Sequence, residues 1–154
     1  MTTKTLPLDY ANDLMFELEK AFWDERGKGA RFRMTTVGRE YYKSKVLPAL
    51  KEAELESILA TVKSVLESEG IVGELGYDRD ERLLSLTIKG CLHRRVEERM
   101  AALNIEPVAC MPANLVVLAI EEKLNRQVEL AEIKLEEGAC KLLLVLFDQR
   151  PAQI

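Results

Sequence analysis

The hydrophobic pattern changes its period within residues 71–89, which read IVGELGYDRDERLLSLTIK. Apolar side chains occupy alternate positions on both sides of a polar centre: Ile71, Leu75, Tyr77, Leu84, Leu86 and Ile88. The centre, Asp78-Arg79-Asp80-Glu81, has the composition of a turn. Alternation interrupted by a polar turn is typical of a β-hairpin, because successive side chains of a strand point to opposite faces. The segment therefore predicts two antiparallel strands.

A second hairpin is predicted at about 127–135 and 139–147, with Glu136-Glu137-Gly138 as its turn. Its last strand reads ACKLLLVLF and is apolar almost throughout, which is typical of a strand in the middle of a sheet. A two-stranded hairpin is only marginally stable alone. The two hairpins are therefore predicted to pair into one four-stranded antiparallel sheet.

Helical periodicity precedes the first hairpin in two segments. One runs from Asp9, the expected N-cap, to about Glu25, with apolar residues at helical spacing. The other begins near Thr36 and is split at Pro48, because proline lacks an amide donor and clashes with the preceding turn. It continues through a stripe at i, i+3, i+4 and i+7 from Leu55 to Leu66. This stripe is the clearest helical pattern of the chain.

Two further helices precede the second hairpin. They are predicted at His93–Leu103 and at about 112–125, where Pro112 suits the first helical position. The second of these is apolar on nearly every side of its first two turns, which indicates burial. The predicted order is ααββααββ, an α+β class with the sheet packed against helices. With no linker or low-complexity segment, residues 1–154 are predicted to form a single domain.

Composition excludes several classes of protein. The chain has 154 residues, 47% apolar content and a net charge of −4, which is typical of a globular protein without general attraction to nucleic acid. Its longest apolar runs, 113–120 and 142–147, are far shorter than the roughly 20 residues that span a bilayer. Three widely spaced cysteines and the lack of a secretory signal predict reduced thiols and a cytoplasmic location.

No complete catalytic motif is present, and His93 is the only histidine. Sites that need two imidazoles within one chain are therefore excluded. Cys91 lies two residues from His93, so a thiol–imidazole pair is one interpretation, and a helix-capping histidine is the other. The enzyme hypothesis is a small hydrolase or reductase-associated protein that uses Cys91 or Cys110 as nucleophile, with His93 or a glutamate as base.

A metal site is a further hypothesis for the cysteines. Cys110 and Cys140 could converge with Glu129 or Glu132 on an ion, and thiolate ligands favour zinc, which takes four donors. The simpler interpretation is that these cysteines are small buried apolar residues.

The segment from Gly90 to Phe147 contains a recognisable series of short motifs. A hairpin ends at Gly90-Cys91, Cys110 opens an apolar helix, and the closing hairpin contains Glu129-Leu-Ala-Glu132 and Glu137-Gly138-Ala-Cys140-Lys-Leu-Leu. This segment resembles the 4-vinyl-reductase-type small-ligand-binding domain. That domain belongs to a broader group with the subunits of the transport protein particle (TRAPP). The ααββααββ order is similar to the order of elements in that group.

The resemblance implies a compact domain that encloses a mostly apolar small molecule or lipid chain between helices and sheet. Such domains often dimerise through their long helices. The expected lining residues are Cys91, His93, Cys110, Met111, Leu115 and Leu118. The implied function is non-enzymatic binding of a hydrophobic molecule by a sensor, carrier or assembly factor, with no catalytic residue assigned. A structural alternative is a partner-binding homodimer whose interface is formed by the Asp9–Glu25 and Leu55–Leu66 helices.

Overall fold

The computed structural model describes residues 5–30, 34–107 and 109–149. The described helices are α1 (Leu8–Arg26), α2 (Arg39–Tyr41), α3 (Leu55–Ser68), α4 (Arg94–Ala102) and α5 (Met111–Leu124). The strands are β1 (Glu74–Asp80), β2 (Leu83–Lys89), β3 (Arg126–Glu136) and β4 (Ala139–Gln149). They form one antiparallel sheet in the order β1-β2-β4-β3, so the α+β class and the central position of β4 are confirmed.

The chain divides into two compact units, and each is built from two separate segments. Unit 1 comprises residues 1–35 and 92–109, and unit 2 comprises residues 36–91 and 110–154. Unit 1 contains α1 and α4, while unit 2 contains the sheet, α2, α3 and α5. The single domain expected over residues 1–154 stays a prediction.

One face of the sheet in unit 2 is buried by α3 and α5. Its central rows pair Leu84 with Leu144 and Leu86 with Leu142, and all four side chains are buried in one hydrophobic core. The helix α3 lies against β1, and α5 lies against α3 and β3. The Leu55–Leu66 stripe is therefore part of this core. Burial of each such side chain contributes about 1.5–3 kcal/mol of stabilisation.

Helix α3 also provides hydrogen-bond partners for backbone groups of β1, the outer strand of the sheet. At Leu75 of β1 the amide N–H donates to the Glu67 carboxylate at 2.9 Å, and the carbonyl accepts from the Lys63 ammonium at 2.6 Å. Lys63 and Glu67 are themselves joined at 2.7 Å. The hydrogen bond from Lys63, followed by that from the Leu75 amide, lowers the pKa of Glu67. These contacts occupy backbone groups that would otherwise be open to another strand.

Helix α5 is buried from Pro112 to Ile120, as the apolar sequence predicts. It carries one buried polar side chain, Asn114, whose amide donates to the Val37 carbonyl at 3.0 Å. Asn125 ends the helix in the left-handed conformation, with φ of 51°. The hydrogen bond of Asn114 fixes the segment before α2 against α5.

Several predicted boundaries need correction. Pro7, and not Asp9, is the N-cap of α1, and Asp9 lies in the first turn. The turn of the first hairpin is shorter than expected, because β1 continues to Asp80 and the chain reverses at Glu81 with φ of 54°. The helical stretch before Pro48 is not a regular α-helix. It passes from α2 into a π-helical turn at Tyr42–Val46 and then into a 3-10 turn.

Unit 1 has a small core of its own. Ala30, Met100 and Ile105 are buried there, and Phe16, Phe22, Trp23 and Met34 pack against them. The guanidinium of Arg99 lies 3.9 Å from the centre of the Phe16 ring, a cation–π contact. Within the described ranges, no helix of either unit is long and apolar enough to cross a membrane.

Candidate functional site

The six residues expected to line a ligand pocket are divided between the two units. His93 lies in unit 1, and the other five lie in unit 2. Leu115 is fully buried in the core of unit 2, and Cys110 is buried at the N-cap of α5. Met111 is half-buried, and its sulfur lies 2.8 Å from the position that a Cβ atom would take at Gly38. The sulfur of Met111 therefore occupies the space that the missing side chain of Gly38 leaves.

Leu118 is the predicted lining residue that borders an open cleft of unit 2. This cleft has a volume of about 360 Å³ and is bordered by Arg39, Tyr42, Lys43, Leu118, Glu121 and Glu122. Burial, followed by interaction with the Glu122 carboxylate, raises the pKa of the Tyr42 phenol above its ordinary value. The π-helical turn supplies Tyr42 and Lys43, and such turns occur frequently at functional sites. Sequence reasoning missed the polar residues of this cleft, because a π-turn has no sequence signature.

The four predicted metal ligands lie on different sides of the sheet. Cys140 pairs with Leu135 and faces the helices, where it is buried. Glu129 and Glu132 pair with Val145 and Leu143, point to the opposite face and are exposed. The sheet therefore separates both carboxylates from the Cys140 thiol. Across residues 5–30, 34–107 and 109–149, no three histidine, cysteine or acidic side chains converge as a metal site would require.

The predicted thiol–imidazole pair is also divided between the units. Cys91 belongs to unit 2 and is half-buried, while His93 belongs to unit 1 at the N-cap position of α4. Burial lowers the pKa of His93, which favours the neutral imidazole. Cys110 and Cys140 are buried, which slows reaction of a thiol with reagents in solution. The cysteine-dependent enzyme hypothesis stays a prediction.

Helix α1 in unit 1 presents apolar side chains to solvent. Tyr10, Leu14 and Leu18 are spaced by four residues and lie on one side of the helix, and we call them the α1 stripe. They are between 42% and 67% exposed. The neighbouring Leu6 and Leu8 are exposed as well. Their spacing predicted the helix correctly, but it did not reveal that this side faces away from the core of unit 1.

The packed side of α1 contains polar side chains beside the partly buried Phe16, Phe22 and Trp23. Asn12 and Glu19 are buried on α1, and Glu97 is buried on α4. Burial raises the pKa of Glu19 to about 7. Burial, followed by the proximity of Glu19, raises the pKa of Glu97 to about 8. Sequence reasoning missed these residues, because a glutamate in a charge-rich helix is usually exposed.

An open cleft of about 600 Å³ also lies in unit 1. Its walls are formed by Asp9, Asn12, Asp13, Arg95, Glu98, Arg99 and Ala102. Two exposed ion pairs join its walls, Arg95 to Asp9 at 3.0 Å and Arg99 to Asp13 at 2.7 Å. Such pairs contribute little stabilisation individually, but they fix α4 beside α1.

Comparisons with known proteins give no assignment: no family model matches the chain, and neither a curated protein nor a solved structure matches it. The resemblance of residues 90–147 to the 4-vinyl-reductase-type domain therefore stays a prediction. Even a shared order of helices and strands would not by itself determine function.

Proposed function

We propose that this chain is a non-enzymatic partner-binding protein that forms a homodimer through the α1 stripe. The observation that supports the proposal is the exposure of Tyr10, Leu14 and Leu18 on one side of a helix whose other side is already packed. Contiguous exposed apolar patches on soluble proteins frequently mark interaction sites. Helix α1 has 19 residues and is about 28 Å long, which is sufficient for helix–helix packing.

The spacing of the stripe suits a second copy of the same chain. Because its three residues are evenly spaced, the stripe is symmetric about Leu14. In an antiparallel pair, Tyr10 of one protomer lies opposite Leu18 of its partner, and the two Leu14 side chains meet at the two-fold axis. The same register places Glu17 opposite Ala11, so the Glu17 carboxylates of the two copies do not face each other. Asp13 is already paired with Arg99.

Replacing Leu14 and Leu18 by glutamate is expected to abolish dimerisation. Glutamate is a good helix former, and both positions are exposed, so α1 itself should persist. The interface is smaller than the 20–30 residues per side of a standard complex, and we expect weak association. Sedimentation velocity from micromolar to millimolar concentration should show a dimer for the wild type and a monomer for the double variant.

The matched control is Leu83→Glu, which changes an equally exposed leucine in unit 2. Both Leu83 and Leu14 are 42% exposed. This variant should dimerise like the wild type, because Leu83 lies outside the α1 stripe. A wild type that stays monomeric at every concentration contradicts the proposal, and so does a Leu14→Glu/Leu18→Glu variant that dimerises normally.

The cleft beside Leu118 favours a second candidate function, the binding of a small amphipathic molecule. Its volume of about 360 Å³ lies within the range of ligand pockets. Leu118 and the Tyr42 ring offer apolar contacts, while Arg39 and Lys43 offer hydrogen-bond donors. The ligand would therefore combine an apolar body with a polar or anionic end, and so be more polar than the mostly apolar molecule that the family resemblance implied.

Native mass spectrometry of protein purified without denaturation from its own host is the test of this second function. The wild type is expected to retain a small molecule. An Arg39→Glu/Lys43→Glu variant is expected to lose it, since both side chains are exposed and their replacement should not disturb the core. Wild-type protein without any retained molecule, or equal retention by the variant, would reject the cleft as a binding site.

A further inference from the structure

The contact between α1 and α4 contains buried acidic side chains that have no ion-pair partner among the described residues. Glu19 is 8% exposed and Glu97 is 5% exposed. Among the described residues, neither carboxylate has an ion-pair partner within 4.0 Å. Within the part of the chain that the structure describes, the Oε2 atom of Glu97 on α4 and the Oδ1 atom of Asn12 on α1 are inaccessible and lack a hydrogen-bond partner. An ionised carboxylate in such surroundings is strongly unfavourable.

The charged groups around Glu97 do not remove this cost. Glu19 of α1 opposes ionisation of Glu97, and so does Glu98 on its own helix. Arg94 favours ionisation, but its guanidinium already bonds the Glu98 carboxylate at 2.8 Å. His93 precedes α4, and burial lowers its pKa, which disfavours a positive charge there.

Two further cations of α4, Arg95 and Arg99, are engaged as well. Arg95 pairs with Asp9 and Arg99 pairs with Asp13 on the exposed side of the helices. The protonated forms of Glu19 and Glu97 are therefore the ones that suit the packed arrangement.

We propose that the Glu19–Glu97 pair makes the packing of α1 on α4 depend on protonation, so that α1 is held most firmly in acidic solution and is loosened progressively as the pH rises to mildly alkaline values. The inference rests on the proposed function in one respect, because a loosened α1 would present the α1 stripe less well to a second copy. The packing of α1 itself can be measured without any reference to dimerisation.

The direction of the effect follows from the two pKa values. Both carboxyls have folded-state pKa values, about 7 for Glu19 and about 8 for Glu97, above the ordinary value of 4.5. The folded state therefore binds more protons than the unfolded state. The stabilisation that the two protonated carboxyls contribute is fully present below their ordinary pKa of 4.5. It declines as the pH rises above that value and is lost once the pH has passed the folded-state pKa values of about 7 and 8. His93 has the opposite effect, since its lowered pKa reduces stability only below its ordinary value of 6.5.

Hydrogen exchange of the α1 amides at about pH 6.5 and about pH 9, corrected for the intrinsic rate, tests this inference. In the wild type, the opening equilibrium constant of α1 is expected to rise on the order of 10–100-fold across this interval. In a Glu19→Gln/Glu97→Gln variant the rise should disappear, because glutamine has the same shape and does not ionise. Fluorescence of Trp23, the only tryptophan, provides a second measurement within unit 1.

The controls are Glu17→Gln and Glu25→Gln, which each remove an exposed carboxylate from α1 and leave the Arg94–Glu98 ion pair intact. Both should keep most of the wild-type pH dependence. Protection of α1 that does not change with pH would overturn the inference, as would unchanged pH dependence in the double variant. A wild type that is monomeric throughout would reject only the proposed dimer, because the protection of α1 is measured independently of association.

Discussion

Replacing Leu115 by alanine is expected to lower the free energy of unfolding by about 2–5 kcal/mol. Leu115 is fully buried in the core of unit 2, on a helix whose neighbours on α3 and β3 are buried as well. The lost side chain leaves a cavity that these packed elements can fill only in part. Urea unfolding followed by far-ultraviolet circular dichroism measures the change, since the only tryptophan lies in unit 1.

Leu118→Ala provides the matched comparison on the same helix. Leu118 is 9% exposed and borders the open cleft, so water can enter the space that its side chain leaves. We expect a smaller loss of stability than at Leu115. A loss below about 1 kcal/mol for Leu115→Ala would show that this residue borders a cavity already present, and would favour the enclosed apolar pocket that the sequence predicted.

The fold could be predicted from the sequence because each element has a clear period. Alternation in residues 71–89 identified the first hairpin, and the apolar run of residues 139–147 placed β4 at the centre of the sheet. The apolar residues on nearly every side of the first two turns of α5 correctly indicated that this helix is buried. These patterns are local, and burial of the apolar face determines how the strands and helices stack.

The candidate sites depended on information that these patterns do not contain. The register of β3 shifts between Leu130 and Glu132, and this bulge places Glu129 and Glu132 on the same face, opposite Cys140. Regular alternation would have put the two glutamates on different faces. A bulge is decided by pairing with β4, so the sequence of β3 alone could not reveal it.

Helix α1 shows a different limit of sequence reasoning. Its apolar spacing predicted a helix, but Tyr10, Leu14 and Leu18 are exposed while Asn12 and Glu19 are buried. Which side of a helix packs depends on the partner that it finds, here α4 with its buried Glu97. Hydrophobic periodicity identifies a face and does not state whether that face contacts the same chain or another one.

Replacing Gly90 by valine is expected to destabilise unit 2 by about 3 kcal/mol or more, from two separate causes. Gly90 has φ of +65°, a conformation that β-branched residues rarely adopt. A Cβ atom there would lie 3.2 Å from the backbone nitrogen of Gly73 and 3.3 Å from its Cα atom. This close approach accompanies the hydrogen bond from the Gly73 amide to the Lys89 carbonyl at 2.8 Å, so the backbone cannot move away without losing it.

Gly138→Val separates the two causes, and thermal unfolding followed by circular dichroism measures both variants. Gly138 has φ of +78°, similar to that of Gly90, but no atom lies within 4 Å of its Cβ position. Its replacement should therefore cost only the conformational strain, about 1–3 kcal/mol. The additional loss at Gly90 measures the contact with Gly73. Equal losses at the two positions would mean that the backbones of Gly73 and Gly90 can separate freely, contrary to the tight approach that closes this end of the first hairpin.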